Sequence, residues 1–578
     1  MNRTRRTVGL LLATLFVALS SSPLAPAARA VGPTTWRVAH GDEALNYTEG
    51  SACADPDFWT DGSWSAGGSG AGAYDSDEDA IQDAIDNASS GDTVVVCFGH
   101  YNFDTDLHNF DAGMNLTIAG DGIGETVFDG VDSTRLINSN PNGEDDDGGT
   151  LTVQDISLQN ASVAAFDNGG AINADGLTLI RVSITDSAGA YNGGALYAEG
   201  SVSIIDSTFE DNHAGSDGGV LYAWGSSLTE IINSEFIAND AGWVAGAVVT
   251  NGTTRVEGSH FERNSSVDHA GALQVAAPSA IVEITNSVFT QNDSGTFGGA
   301  LVLHNLALLH ISGSTFSENV SHNAFGGAIQ MNLNDEVIIE GSTFNGNEAL
   351  GGDTGGTGNG GAIDGCDLGS FTSTRSRYIN NVSTQFGGAV GLFGLTCASP
   401  GSVTLVSNQF VGNAATDDGG ALWLSGTLDT MRANLFSGNS SGGVGGAVYG
   451  GYAHDGGSIL IGRIEQNVFL NNYAEYSGGA VWLPGDAVSI RRNTFKQNTT
   501  DGDGGAITFS ELTRRGLRAV SGNVITRNSA TMRGGAVALY CSSLSRSTMR
   551  PLVAANRVNG NRAFADRRTA IIAVFTIC

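Results

Sequence analysis

Short segments of alternating apolar and polar residues recur along most of the chain. Two examples are Val282-x-Ile284 and Leu309-x-Ile311, in which every second side chain is apolar. A period of two places the apolar side chains on one face of a β-strand, whereas a helix would need a period near 3.6. Each segment holds only a few residues and is followed by a polar bend. The pattern therefore predicts many short strands, each with one buried face.

The chain is also a repeat, marked by the tetrad Gly-Gly-Ala-apolar or its close variants. Two relaxed copies have Ala in place of the first glycine, at Ala245 and Ala270. Successive copies lie on average about 28 residues apart, a period typical of solenoids, propellers and related arrays. The second glycine of each copy lies at Gly170, Gly194, Gly219, Gly246, Gly271, Gly299, Gly327, Gly361, Gly388, Gly420, Gly446, Gly479, Gly505 and Gly535.

A second motif, Phe-x-x-Asn, precedes most of the tetrads. Tyr378, Ile525 and Val558 replace the Phe in three copies, and Ser or Asn stands two residues before this position, as at Ser287 and Asn408. In stacked coils these positions would form ladders, with Phe filling the core and Asn side chains hydrogen-bonding along the stack. The Phe residues are Phe209, Phe236, Phe261, Phe289, Phe316, Phe344, Phe410, Phe436, Phe469 and Phe495.

Three short strands in a unit of about 28 residues predict an all-β fold, a parallel β-helix of roughly 17 coils. Propeller blades need about 40 residues and antiparallel hairpins, and hairpin dipeptides do not recur here at fixed offsets. Leucine-rich repeats need their own Leu pattern, which the sequence lacks. The repeat therefore favours a parallel solenoid.

The two ends of the chain differ from the repeat between them. Near the N-terminus, residues 77–90 place Ala and Ile on one side and predict a short amphipathic helix that caps the first coil. The sequence divides into a signal peptide (1–30), an irregular N-terminal segment (31–76), a capping helix with the first coils (77–168), the repeat β-helix (169–561) and a C-terminal cap (562–578).

The first thirty residues are typical of a secretory signal peptide. Arg3, Arg5 and Arg6 precede an apolar run over 8–19, and the small residues of Ala28-Arg29-Ala30 predict cleavage after Ala30. No later segment has 18 uncharged apolar residues, so we expect no transmembrane segment in the mature chain. The predicted location is secreted, extracellular or on the outer cell surface.

Six cysteines in an exported chain favour disulfides over metal ligands. Six cysteines allow 15 connectivities, but a fold that stacks local units brings only sequence neighbours together. The expected pairs are Cys53 with Cys97, Cys366 with Cys397, and Cys541 with Cys578.

The chain is strongly acidic, with 60 acidic and 27 basic residues and a net charge of −33. This charge disfavours nucleic acid and anionic membranes as partners. The basic residues collect at the C-terminal end, from Arg514 to Cys578. This end would either protect the open strand edge or dock an anionic envelope polymer.

The paired motifs Phe-x-x-Asn and Gly-Gly-Ala-[Ile/Leu/Val] resemble the repeats of polymorphic outer membrane proteins. The resemblance covers roughly residues 169–561. It implies a right-handed parallel β-helix of the pectin-lyase-like kind, displayed at a cell surface and used in adhesion. Members of that family end in an autotransporter barrel. Here the sequence stops at Cys578 without a block of barrel strands, so anchorage by that route is not expected.

Enzymes on the pectin-lyase-like fold are mostly hydrolases and lyases of polysaccharides. Their catalytic residues have candidates in this sequence. A hydrolase needs a carboxylate pair, for which Asp418 and Asp503 are candidates, each with an acidic neighbour and each preceding Gly-Gly. His100 lies far from both in sequence. Aspartate before Gly-Gly is also an ordinary turn former, which is the simpler interpretation.

A lyase needs a basic residue and a charge that neutralises a uronate. Arg491, Arg492 and Lys496, the last being the only lysine of the chain, are the only Lys/Arg group that could serve, although exposed strand-edge charge is their ordinary explanation. Two acidic runs, residues 145–147 and 75–79, could hold calcium, but neither completes a calcium-binding loop. The sequence therefore predicts no cofactor, with calcium as a minor alternative, and leaves catalytic residues unassigned.

One column of side chains at the surface is a candidate binding site. The variable residue of each Ala-apolar-x-apolar strand should point outward, and it is aromatic in five copies. Side chains in register would form a platform on which sugar rings or an extended partner could stack. Alternatively, they merely stack on one another and shield the sheet. The five residues are Tyr197, Tyr222, Trp423, Tyr449 and Trp482.

These observations together favour an exported, surface-displayed or secreted β-helix that acts as a binding or adhesion scaffold. Its expected partner is a polysaccharide, glycan or other cell-surface component. The alternative is a carbohydrate-active polysaccharide lyase or glycoside hydrolase on the same fold.

Overall fold

The computed structural model shows a parallel β-solenoid with one short helix, in which every strand pair is parallel. Its successive coils stack in three sheets, which we name faces 1, 2 and 3 in the order in which the chain visits them. The model describes residues 35–38, 77–108, 110–111, 113–140, 149–164, 166–351, 358–393, 401–425, 427–451, 461–483, 489–510, 520–540, 555–567 and 571–574.

One coil shows the plan of all the others. It runs through Val202–Ile205 and Thr208–Glu210 on face 1, His213–Ala214 on face 2, and Leu221–Ala223 on face 3. Between faces 2 and 3 lies the Gly218-Gly219 turn. Each strand pairs in register with the equivalent strand of the next coil, as Phe209 does with Phe236. The three strands predicted for each unit are therefore present, and a fourth strand of two residues lies on face 2, where the sequence predicted only a turn.

Face 1 has 32 strands, two in most coils. They are Thr35–Val38, Thr93–Val96, Gly99–Asn102, Leu116–Ala119, Thr126–Asp129, Thr150–Gln159, Gly176–Thr185, Val202–Ile205, Thr208–Glu210, Leu228–Ile232, Glu235–Ile237, Thr253–Glu257, His260–Glu262, Ile281–Thr285, Val288–Thr290, Leu308–Ser312, Thr315–Ser317, Glu336–Glu340, Thr343–Asn345, Ser370–Thr374, Arg377–Ile379, Ser402–Val406, Gln409–Val411, Leu428–Arg432, Leu435–Ser437, Ile461–Glu465, Val468–Leu470, Ile490–Arg491, Thr494–Lys496, Val520–Ser521, Val524–Thr526 and Arg557–Asn559.

Face 2 has 14 strands of two residues each. They are Ala188–Gly189, His213–Ala214, Asp240–Ala241, Ser265–Ser266, Asp293–Ser294, Val320–Ser321, Glu348–Ala349, Val382–Ser383, Ala414–Ala415, Ser440–Ser441, Tyr473–Ala474, Thr499–Thr500, Ser529–Ala530 and Arg562–Ala563.

Face 3 has 16 strands, one in each coil that reaches it, so its count is close to the roughly 17 coils expected from the repeat. They are Ile137–Asn138, Ile172–Ala174, Leu196–Ala198, Leu221–Ala223, Val248–Thr250, Leu273–Ala276, Leu301–His304, Ile329–Asn332, Ile363–Cys366, Val390–Phe393, Leu422–Leu424, Val448–Gly450, Val481–Leu483, Ile507–Phe509, Val537–Leu539 and Ile572–Val574.

The aromatic residues of the Phe-x-x-Asn motif form one continuous column inside the solenoid. From Phe209 to Phe495 the eleven rings, Tyr378 among them, are at most 1% exposed. Neighbouring ring centroids lie 4.5–5.0 Å apart, and the ring planes are nearly parallel. Stacked aromatic rings stabilise one another beyond the burial of their surface. The predicted internal Phe column is thus confirmed.

The Asn of the same motif forms a ladder of hydrogen bonds at the bend between faces 1 and 2. Asn319 illustrates it: its Nδ2 donates to the Oδ1 of Asn347 at 2.9 Å and to the Phe289 carbonyl oxygen at 3.0 Å. Its Oδ1 accepts from the backbone nitrogen and the Nδ2 of Asn292, both at 3.0 Å. The side chain therefore adds four hydrogen bonds to the backbone bonds that join the coils at this bend.

The two glycines of each tetrad have different roles. The first lies in the left-handed region, as Gly218 does with φ 68°, and Ala245 adopts the same conformation with φ 54° in a relaxed copy. The second is glycine in every copy, because a Cβ there would overlap the carbonyl oxygen of the next coil's glycine, as at Gly246 against Gly271. Close approach of coils therefore excludes every other residue from the second position, whereas the first is limited by its left-handed conformation and by a carbonyl oxygen of its own coil.

A helix closes the N-terminal end of the core, as predicted. It spans Asp77–Asn87 and buries Ile81 and Ile85. Glu78 fixes it to the first coils, because its Oε1 accepts from the backbone nitrogens of Asp104 and Thr105. The segment predicted to be irregular contains a strand, Thr35–Val38, which pairs with Thr93–Val96. Its alternation is too short to be recognised in the sequence.

Candidate functional site

The variable residue of the face 3 strands points away from the core, as its position between two buried neighbours requires. In Leu221–Ala223, for example, Leu221 and Ala223 are buried and Tyr222 is only partly covered. We call this set of residues the outward column. From the second to the fifteenth strand of face 3 it reads Asn173, Tyr197, Tyr222, Val249, Gln274, Val302, Gln330, Asp364, Gly391, Trp423, Tyr449, Trp482, Thr508 and Ala538.

The five aromatic residues of the outward column form two separate groups. Tyr197 pairs with Tyr222 in register, and Trp423 pairs with Tyr449, which pairs with Trp482. Seven coil steps separate Tyr222 from Trp423, a distance on the order of 34 Å at about 4.8 Å per step. The residues predicted to form one ligand platform therefore lie in two places on face 3.

The C-terminal group is a stack of rings that cover one another. The ring centroids of Trp423 and Tyr449 lie 5.7 Å apart, and those of Tyr449 and Trp482 lie 4.9 Å apart, with planes 23° and 14° from parallel. Nearly parallel rings at these distances overlap face to face, which leaves mainly their edges to solvent. Trp423 is only 6% exposed, although its position in the alternation had suggested a free surface.

The N-terminal group is larger than the sequence suggested. The rings of Tyr197 and Tyr222 lie 5.9 Å apart, and Trp224 stacks beside Tyr222 at 6.0 Å. Trp224 and Trp243 are each 55% exposed, and Tyr191 is 48% exposed. We call these five residues the N-terminal aromatic patch. It combines two stacked rings of the outward column with Trp224, which stacks on one of them, and with two exposed aromatic side chains in the turns of nearby coils.

Three members of this patch lie outside the outward column, and the repeat pattern in the sequence does not mark their positions. Trp224 comes two residues after Tyr222, and continuing the alternation past the end of the strand would have found it. Tyr191 and Trp243 lie two coils apart in the turn before the Gly-Gly pair, and the backbone of Ser216 hydrogen-bonds to both. No alternation marks turn positions, so no sequence signal indicated them.

Hydrogen-bonding groups surround the rings of the N-terminal aromatic patch. The Tyr197 hydroxyl donates to Glu199 Oε1 at 3.1 Å, and the Trp243 indole nitrogen donates to Asp268 Oδ2 at 3.0 Å. Burial, and then the negative charge of Glu199, raise the pKa of the Tyr197 hydroxyl, so this phenol stays protonated at neutral pH. Carboxylates beside exposed rings can accept hydrogen bonds from a ligand whose apolar face rests on the rings.

Comparison with known proteins identifies the repeat. Residues 206–223 match the Chlamydia polymorphic membrane protein repeat. This one coil is similar to that repeat over its 18 matched residues. The matched copy holds both Phe209-x-x-Asn212 and Gly218-Gly219, and it includes Tyr222 of the N-terminal aromatic patch. Comparison with curated protein sequences finds no match to the chain.

Several solved structures are similar to this chain at low identity. The catalytic unit of an α-1,3-glucanase from Streptomyces thermodiastaticus is 14% identical, with a TM-score of 0.32, and the alignment covers 64% of this chain and 65% of that one, just under two thirds. A mannuronic-acid-specific family 6 polysaccharide lyase from human gut microbiota is 12% identical, with a TM-score of 0.30 and coverages of 84% and 89%. The A-module of a mannuronan C-5 epimerase from Azotobacter vinelandii is 14% identical, with a TM-score of 0.24 and coverages of 81% and 95%.

The candidate hydrolase carboxylates of the repeat region are engaged in turns. Asp418 Oδ1 accepts from the backbone nitrogen of Val444 at 2.8 Å, and Asp503 Oδ1 accepts from that of Arg533 at 2.8 Å. Both bonds join one coil to the next. Three coil steps, about 14 Å, separate the two residues, whereas a catalytic pair needs about 5–9.5 Å. The turn interpretation accounts for both aspartates.

The other candidate catalytic residues lie apart from one another. His100 is on an N-terminal strand of face 1, where its Nε2 lies 3.1 Å from Asp129 Oδ2. Arg491 and Arg492 are exposed near the other end of the solenoid, and Lys496 is partly exposed beside them. The structure does not bring the histidine and the cationic group together.

No group of three or more His, Cys, Asp or Glu side chains that could hold a metal ion occurs in the described ranges. Of the acidic runs considered for calcium, residues 145–147 and residues 75–76 lie outside those ranges. No helix in the described part of the chain is long and apolar enough to cross a membrane.

Neither of the two described cysteines, Cys97 and Cys366, carries a free thiol. The cysteines expected to pair with them, Cys53 and Cys397, lie outside the described residues, as do Cys541 and Cys578. The three local disulfides therefore remain a prediction.

Proposed function

We propose that this chain is a surface-displayed binding scaffold, and that its N-terminal aromatic patch binds a glycan of the cell envelope or of a neighbouring cell. The observation that supports this proposal is the exposure of Trp224 beside the stacked Tyr197 and Tyr222, with Tyr191 and Trp243 also exposed in the turns of nearby coils. A soluble protein rarely leaves several large aromatic side chains exposed in one place unless they contact a partner.

The chemistry of the patch suits a saccharide. A sugar ring presents an apolar face of C–H groups, which packs against an aromatic ring, and a rim of hydroxyls that need hydrogen-bond partners. Glu199 and Asp268 place carboxylate oxygens beside the rings of Tyr197 and Trp243. Since the chain carries a net charge of −33, a neutral glycan would approach with less repulsion than a polyanion.

The repeat fold suits display rather than catalysis. Each coil contacts mainly its two neighbours, so the solenoid holds the patch on a rigid, extended surface. The hydrolase alternative requires a carboxylate pair, and Asp418 and Asp503 instead accept hydrogen bonds from the next coil's backbone. Export and an outer-surface location, suggested by the N-terminal sequence and by the repeat, belong to the same proposal.

Replacing both exposed tryptophans, Trp224→Ser and Trp243→Ser, tests the proposal. Each aromatic contact contributes about 0.5–1.5 kcal/mol beyond area burial, so the double variant should bind immobilised glycans at least about tenfold more weakly. Its melting temperature should hardly change, because exposed substitutions usually alter stability by less than about 0.5 kcal/mol. Binding is measured on a glycan array with purified protein.

Two further variants act as controls. Tyr476 is 64% exposed and lies in the turn before the strand of Trp482, far from the patch. Tyr476→Ser therefore removes a comparable exposed ring elsewhere and should leave binding unchanged. The double variant Tyr449→Ser with Trp482→Ser instead removes two of the three stacked rings of the C-terminal group. Full binding by the double tryptophan variant, or loss of binding only in the variant of Tyr449 and Trp482, would contradict assignment of the site to the N-terminal aromatic patch.

A further inference from the structure

A buried carboxylate without a partner lies in the middle of face 3. Asp364 belongs to the outward column, yet it is only 3% exposed. Its Oδ1 has no hydrogen-bond partner. Burial alone raises the pKa of this carboxyl well above its usual range. An isolated buried charge of this kind is costly unless a counter-charge accompanies it.

Two neighbouring side chains also present unpaired oxygens. Gln330 is 7% exposed and Asn359 is 5% exposed, and neither Gln330 Oε1 nor Asn359 Oδ1 has a hydrogen-bond partner. The amide nitrogen of Gln330 donates to the Met331 carbonyl oxygen at 3.4 Å, so its oxygen is the free end of the amide. All three unpaired atoms are therefore acceptors.

The fold places these three residues side by side. Gln330 and Asp364 are register partners on adjacent strands of face 3. Asn359 precedes Gly360, where a Cβ would lie only 2.8 Å from the Asp364 backbone nitrogen, so this turn packs directly against Asp364. The equivalent positions touch within another coil, where Thr508 Oγ1 donates to the carbonyl oxygen of Asp503, the residue before Gly504, at 3.2 Å.

The next residue of the outward column is Gly391, the register partner of Asp364 on the other side. Glycine has no side chain, so the column itself contributes no donor to Asp364 from that coil. Three buried oxygen acceptors on neighbouring positions thus lack a hydrogen-bond partner in this part of face 3. A bound cation would satisfy all three oxygens at once.

We propose that Asp364, Gln330 and Asn359 form a binding site for a hard cation of the calcium type. One carboxylate and two amide carbonyl oxygens are ligands that Ca²⁺ accepts, and an all-oxygen set disfavours the softer transition metals. Backbone carbonyls and water would complete the coordination. The net charge of −33 raises the local concentration of cations around the solenoid. This site is independent of the proposed glycan site.

The first test compares melting temperatures with and without calcium. Protein stripped with EGTA should melt several degrees lower than the same protein in millimolar CaCl₂, because a ligand that binds only the folded state stabilises it. The isosteric variant Asp364→Asn should show no calcium response. Without calcium it should be at least as stable as the wild type, since it removes the buried charge. Asp417→Asn, an exposed aspartate two coils away, should respond to calcium like the wild type.

Terbium luminescence provides a second readout of the same site. Trp423 lies two coil steps from Asp364, about 10 Å, so excitation of tryptophan should sensitise a Tb³⁺ ion bound there. The signal should fall strongly in Asp364→Asn and persist in Asp417→Asn. Equal calcium stabilisation and equal terbium signals in the wild type and Asp364→Asn would overturn the proposal, as would a wild type that responds to neither ion. Asp364 would then be a protonated carboxyl without a ligand.

Discussion

Replacing Asn319 by Ala should lower the free energy of unfolding by on the order of 3–5 kcal/mol. Its side chain makes four hydrogen bonds in the interior, to Phe289, Asn292 and Asn347. The variant leaves the backbone nitrogen and Nδ2 of Asn292, the Phe289 carbonyl oxygen and Asn347 Oδ1 each short of a partner. A buried polar group that loses its partner costs about 1–3 kcal/mol, and partial rearrangement or entry of water recovers part of the total.

Denaturant unfolding followed by circular dichroism measures this loss. The control is Asn345→Ala, which removes an asparagine side chain from the neighbouring coil at a position that is not fully buried. It should change stability by less than about 0.5 kcal/mol. Equal effects of the two substitutions would show that the ladder contributes no more than surface asparagines do.

The second large effect is expected for Phe316→Ala. Phe316 is fully buried and stacks between Phe289 at 4.9 Å and Phe344 at 5.0 Å. Truncating it removes apolar burial, leaves a cavity and breaks two ring stacks, for an expected loss of about 3–5 kcal/mol. The loss should appear as a lower denaturant midpoint in equilibrium unfolding.

Phe316→Leu serves as the graded comparison, because it retains most of the buried volume and should cost clearly less than the alanine variant. Val267→Ala is the surface control, since Val267 is 69% exposed. An unchanged melting temperature for Phe316→Ala would place the column at the surface, in conflict with the packing described above.

The repeat made the fold predictable from the sequence. Every coil needs a buried aromatic ring at the Phe position and a hydrogen-bonding amide at the Asn position. Stacking repeats both requirements in each coil, so the recurring Phe and Asn predict the two columns. Alanine replaces the first glycine at Ala245 and Ala270, whereas the second position stays glycine. The reason is that only the second glycine of a tetrad lies at contact distance from the next coil's carbonyl oxygen.

The candidate site was only partly predictable. Alternation gave the direction of the outward column correctly, but direction does not determine exposure, and Trp423 and Asp364 are buried despite pointing away from the core. Their burial depends on contacts between coils and turns that differ from one copy to another. Trp243 was missed for the related reason that turn residues follow no period.

The most direct test of the account is to follow binding and chemistry in one experiment. Purified protein is incubated with a panel of neutral and acidic polysaccharides, and retention of the protein is measured together with the release of unsaturated or reducing ends. A binding scaffold predicts retention on at least one glycan, lost in the double variant of Trp224 and Trp243, with no new chain ends over hours. Accumulation of unsaturated or reducing ends in proportion to enzyme concentration would contradict the account and establish a lyase or a hydrolase instead.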